Sequence, residues 1–142
     1  MVQLPRNDGI RINARITIDR RALDWFQRNA PGKLQTARKR AVEAAGMVWA
    51  DETKQITRDE DHIDTGFYIN SIGYSTGSPS NPLYELDEGG GRTTLRIGAD
   101  VPYAESLEKR YALMARGLDV AESRMRRVAE TQVRDTLFGG SG

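Results

Sequence analysis

Cysteine is absent from the 142 residues, which excludes disulfides, a thiol nucleophile and thiolate metal sites. Histidine occurs once, at His62, so a triad of the Ser–His–Asp kind has one candidate base, and no isolated serine pairs with it. Aromatic residues make up 7% of the chain, and no apolar run approaches the roughly 18 residues a membrane-crossing helix needs. The opening stretch, Met1–Gly9, lacks the apolar core of a secretory signal, so cytosolic synthesis is expected. A charge excess is missing too. Twenty-one Lys and Arg against 20 Asp and Glu leave a net charge of +1, which argues against a dedicated nucleic-acid binder while leaving local patches open. What is present is globular: 38% hydrophobic and 29% charged residues in a length that suits one domain, 1–142. Such a chain buries roughly 68–70% of its unfolded surface, enough for a core.

Residues 10–18, IRINARITI, alternate apolar and polar and predict a half-buried strand. A short helical turn is expected over Arg20–Arg28, with Leu23 and Phe26 inward. Pro31-Gly32 then introduces a long helix from Lys33 to about Gln55, with Leu34, Ala37, Ala41, Ala44, Ala45 and Val48 in one stripe. So many alanines favour the helix and let a neighbour approach closely. After the polar loop Arg58–Asp64, GFYINSIGYST (66–76) is expected to be a strand with apolar residues on both faces. Gly77–Gly91, rich in breakers, is expected to be an extended arm or loop, and RTTLRIGA (92–99) a further strand. A helix follows, interrupted at Gly117. A last helix capped by Asp119 and Glu122 runs to about Leu137, with residues 1–9 and 138–142 expected to be flexible. The fold expected is α+β: a small antiparallel sheet of three to four strands packed by a long Ala-rich helix and a C-terminal helix.

Asp64-Thr65-Gly66 has the form of the aspartic-peptidase signature. That chemistry needs two carboxylates sharing a proton about 3 Å apart, in an apolar β scaffold. Here the tripeptide follows the acidic run Asp59–Asp61 and sits between Ala-rich helices. The expected role is therefore local, with Asp64 and Thr65 closing a loop by side-chain bonds and Gly66 supplying backbone freedom. His62 among Asp59, Glu60, Asp61 and Asp64 matches no calcium-loop spacing. Glu88–Arg92 precedes a strand rather than a helix, so it is no phosphate cradle. No catalytic residue, cofactor or metal site is assigned, and an enzyme is not expected. The basic clusters Lys33/Arg38/Lys39/Arg40 and Arg124/Arg126/Arg127 could touch phosphate but read first as solvated helix faces. Trp25 and Trp49 are expected to be core or interface anchors.

DTGFYINSI after a long Ala-rich helix, and LRIGADVPYAESLE after a second strand, together resemble the neck or tail-completion proteins of long-tailed bacteriophages. These are minor tail proteins that join head to tail. The positions carrying the resemblance are Asp64, Thr65, Gly66, Ser71, Ile72, Gly98, Tyr103, Ala104 and Glu108, spread over roughly residues 33–137. The chain departs from the family pattern at His62-Ile63, where a Pro often precedes Asp-Thr-Gly. It departs again at Lys109–Gly117, in place of a Gly-Thr with a later Pro-Phe.

The resemblance implies a structural virion protein at the head–tail junction, synthesised in the bacterial host cytoplasm. It implies a homo-oligomer, commonly a hexameric ring, that completes the tail and contacts neighbouring neck, head-completion and tail proteins. DNA would pass through its channel without sequence-specific binding, and no membrane is involved. The 77–91 arm and residues 1–9 would contact adjacent subunits or the next ring, and the Tyr103–Glu108 turn would pack beside the sheet and orient the C-terminal helix. The alternatives are a tail terminator or a head-closure stopper. A third is a nucleic-acid-binding module using Arg124, Arg126 and Arg127 of the C-terminal helix.

Overall fold

A computed structural model describes residues 10–12, 19–60 and 66–139. Its frame is a pair of long helices, α2 (Pro31–Asp59) and α5 (Leu113–Phe138). At 1.5 Å per residue each is about 40 Å long. They run antiparallel, as their contacts show: Arg40 reaches Thr136, Gly117 lies against Thr53, and Arg116 pairs with Glu60. Their buried residues recur every four positions, as Ala37, Ala41, Ala45, Trp49, Thr53 and Thr57 on α2 and as Gly117, Ala121, Met125, Ala129, Val133 and Leu137 on α5. Ridges of this spacing, built from small residues, bring two helices close.

Along α2, from the region of Ala50 down to Arg38, which pairs with Glu88 at 2.7 Å, lies an antiparallel hairpin of β2 (Pro82–Gly89) and β3 (Arg92–Ala99), turned through Gly90 and Gly91, both at positive φ. Leu95, Ile97 and Ala99 of β3 are wholly buried, alternating with half-covered Thr94 and Arg96. The three-residue β1 (Ile10–Ile12) pairs antiparallel with the other edge of β3, Ile10 opposite Ile97 and Ile12 opposite Leu95. The remainder of the expected 10–18 strand lies outside the described residues. The chain is thus α+β, with an antiparallel sheet packed by long helices. The other end of the pair is covered by α1 (Arg20–Asn29), which starts on the Asp19 side chain accepting from the Arg21 amide at 3.0 Å.

Several expectations are corrected. Residues 67–71 form a helical turn, α3 (Phe67–Ser71), not a strand. Gly66 at φ +85° starts it, and the Ser71 hydroxyl bonds back to the Phe67 carbonyl at 2.6 Å, local closures that compete with a ladder. Buried Tyr68, Ile69 and Ile72 follow helical spacing across its end. The 77–91 span is not one arm. Pro82–Gly89 is a paired strand because Tyr84, Leu86 and Glu88 stand opposite Ile97, Leu95 and Thr93, on the face turned to α2. Gly117 does not break α5, and Asp119 lies inside that helix rather than capping it. Phe138 is no loose tail: it ends α5 with its ring 5.6 Å from that of Phe26. Residues 1–9 and 140–142 lie outside the described residues.

Candidate functional site

The two segments that carry the family pattern are far apart in sequence and meet in space. The Gly73 amide donates to the Gly98 carbonyl at 2.8 Å, tying the end of the first segment to β3. Gly73 is required there by geometry. It has φ +73°, and a Cβ would sit 2.7 Å from that of Ala50 and 3.1 Å from Ile97 Cδ1. The Ser71 hydroxyl, buried, also accepts the Asn81 amide at 2.7 Å and so holds the entry to β2. Ile72 is fully buried in the main core with Val101 and Ala104. Phe67 and Tyr103 meet edge to face with centroids 6.3 Å apart. Asp64 and Thr65 lie outside the described residues, as do His62 and Asp61.

Glu108, on α4 (Ala104–Tyr111), has a defined task. Between α4 and α5 the backbone turns through Ala112 at φ +50°, leaving α5 without a cap from its own N-cap residue. The Glu108 carboxylate reaches across and accepts the Met114 amide at 2.8 Å and the Ala115 amide at 3.1 Å. A carboxylate on exposed helix amides satisfies them and complements the helix dipole. These two bonds tie the start of α5 to α4.

Beneath this junction sits a residue the sequence reasoning missed, Lys54. Its side chain is buried, and its ammonium donates to the Ile69 carbonyl at 2.9 Å, the Tyr74 carbonyl at 2.9 Å and the Thr76 hydroxyl at 3.0 Å. It also lies 4.3 Å from the centre of the Tyr74 ring, whose hydroxyl bonds Asp51. Burial lowers its pKa to about 8, against partial support from Asp51. One α2 side chain therefore fastens the whole α3–β2 loop. The only sequence signal was a lysine aligned with the helix's inner stripe, four positions before Arg58.

Two buried hydroxyls near the junction, Thr53 Oγ1 and Tyr68 Oη, have no hydrogen-bond partner among the described residues. Burial, then the nearby Glu108 charge, holds the Tyr68 phenol above its usual range. Among the described residues no group of three or more His, Asp or Glu is placed to hold a metal ion.

The three arginines named as DNA-facing do not share a face. Arg124 and Arg127 are neighbours on the solvent side of α5, whereas Arg126 turns away and pairs with Glu122 at 3.1 Å. Trp49 is a core anchor, with its indole donating to the Met114 carbonyl at 3.0 Å, but Trp25 is 54% exposed. Comparison of the chain with family models, with curated proteins and with solved structures gives no match.

Proposed function

We propose that the chain is a structural subunit of a tailed-phage neck, forming a ring that completes the tail and joins it to the DNA-filled head. The observation that supports this best is the junction. The residues matching the family pattern, from Gly66 to Glu108, converge on one internal joint and hold backbone to backbone, with no chemistry-bearing constellation among them. A pattern used for architecture suits an assembly protein better than a hydrolase. The outer edge of β2 supports the reading further, because no described strand pairs with it. Such an edge can accept a strand from a neighbour, and the sheet of three to four strands expected from the sequence would then be completed between subunits. Hexameric stoichiometry, the virion location and the neighbouring neck and tail proteins belong to this same proposal.

The test is to delete the gene from its phage and image the lysate. Separate filled heads and free tails, rejoined by adding purified protein, are the expected result. Abnormally long tails would move the protein to tail termination, and normal infectious particles would overturn the neck role.

A further inference from the structure

The near-neutral total hides a segregation that the fold creates. Residues 19–41 carry seven Lys and Arg against two Asp, and residues 124–139 carry four Arg against two acids. The described residues between them, 42–60 and 66–123, carry seven cations against thirteen carboxylates. Because α2 and α5 run antiparallel, the start of α2 and the end of α5, with α1 across them, lie together around the small core of Phe26, Leu34, Ala37, Ala129, Val133 and Leu137, while Arg38 turns to the hairpin and pairs with Glu88 at 2.7 Å, and Arg124, Arg126 and Arg127 flank Met125 nearer the main core. Two clusters some 90 residues apart in sequence become one basic pole.

The two poles also differ in what their charges already do. At the acidic pole Glu60, Glu85, Glu105 and Glu122 each pair with a cation, while Glu43 accepts from Tyr84 and Glu108 caps α5. At the basic pole Arg20, Arg21, Lys33, Lys39, Arg127 and Arg134 are exposed and have no ion pair among the described residues. The acids present there, Asp19, Asp24, Glu130 and Asp135, are outnumbered. Unneutralised cations spread over one end of a narrow helical pair suit a polyanion.

We propose that this basic pole binds the phosphodiester backbone of DNA without reading its sequence. The inference goes beyond the neck assignment, since it rests on charge placement alone and would stand if that assignment fell. It also replaces the single-helix arrangement with a surface drawn from α1, α2 and α5, in which Arg126 has no part.

The test is fluorescence anisotropy of a labelled 30-base-pair duplex with the full chain across 50 to 200 mM salt. Binding should weaken with salt, log affinity falling by about 0.9 per decade of salt for each phosphate neutralised. Lys33, Lys39, Arg127 and Arg134 all replaced by Gln should lose about tenfold or more at the lowest salt and flatten the slope. Replacing Lys109 and Arg110 of α4 at the other pole should leave affinity within about twofold, and circular dichroism should show both variants folded. Absence of binding at 50 mM salt would overturn the proposal, as would equal losses in the two variants. So would salt-sensitive self-association, abolished by the four replacements, in a protein that ignores DNA. The isolated-protein readout is independent of the phage lysate, so either reading can fail alone.

Discussion

The helical pair has two ends with different rules. At the sheet end Trp49 is completely buried, its indole bonded to Met114, with Ala50, Ile72, Leu95, Ile97 and Leu113 all at zero exposure around it. At the other end Trp25 is half exposed, and Phe26, Leu34, Val133 and Leu137 each keep a little accessible surface. The cause is coverage. Hairpin, α3 and α4 close over one end of the pair, whereas among the described residues the other end is covered by the ten-residue α1, with only the hairpin tip reaching as far as Arg38. Polar side chains follow the same division. Lys54 and Glu108 fasten backbone to backbone at the sheet end, while Arg20, Arg21, Lys33 and Lys39 of the far end are exposed. One end is therefore built for a unique structure, and the other is left available for contact. A helix as short as α1 has little stability of its own and depends on that thin apolar layer.

Removing the centre of the tighter end should have the largest effect. Trp49→Ala deletes a fully buried ring and leaves the Met114 carbonyl without its indole donor, a loss of about 3–5 kcal/mol of stability by denaturant unfolding. A loss under about 1 kcal/mol would mean that the sheet end is no better packed than its counterpart. Gly117→Ala comes next. The added carbon would collide with Thr53 Oγ1 and lie 3.2 Å from Thr53 Cα, in the backbone of α2, so the helices must separate. The expected cost is about 1–3 kcal/mol, whereas Gly32→Ala at the other end of the pair meets nothing within 4 Å and should be tolerated.

Lys54 sharpens the contrast through pH. Its pKa is about 8 in the folded chain and 10.5 when freely solvated, so between those values the unfolded chain holds a proton that the folded one has released. Stability gained from this site therefore rises as pH increases from about 8 towards 10.5. Tyr68, Tyr74 and Tyr84 act the other way. Their pKa values are raised, so their contribution is lost as pH climbs above the ordinary tyrosine value of 10. Lys54→Met should be destabilised at pH 7, with the Ile69 and Tyr74 carbonyls left unpaired. The gap between wild type and variant should widen from pH 8 to 10. A gap independent of pH would mean that the ammonium is not desolvated in solution.

The parts of this design that were legible in sequence are those set by periodicity. The inner stripes of α2 and the last half of α5, and the alternation of β3, are local patterns of 3.6 and 2 residues. The misreadings share a cause, which is that a local pattern was settled by a distant partner. Tyr68, Ile69 and Ile72 fit a strand or a helical turn equally until Lys54 and Gly66 fix the loop. Pro82–Gly89 looked like an arm because its signal, Tyr84 and Leu86 alternating among acids before Gly90-Gly91, gains meaning only opposite β3. Gly117 looked like a breaker, though its role is to admit Thr53. Of the candidate site, the pattern residues are legible in order and spacing, but their convergence is not. Gly98 and Gly73, or Glu108 and Met114, become neighbours only once the chain has folded. The basic pole escaped notice for the same reason.

The smallest effect expected is also the most informative about the open end. Trp25 stands edge-on to Phe26 with centroids 5.2 Å apart, and Phe26 in turn meets Phe138. An aromatic pair of this geometry contributes about 0.5–1.5 kcal/mol beyond burial, and Trp25 is 54% exposed, so little burial is added to it. Trp25→Ala should accordingly cost about 1 kcal/mol or less in the dilute protein, far below Trp49→Ala. If the two tryptophans proved equal, the ring would have to be covered in solution by something other than this chain's own described residues. Association would then make the midpoint of thermal unfolding rise with protein concentration, and the rise would vanish in the variant. A concentration-independent midpoint together with a small loss would place Trp25 where the fold leaves it: an exposed ring at the basic end, free for a partner and not needed for folding.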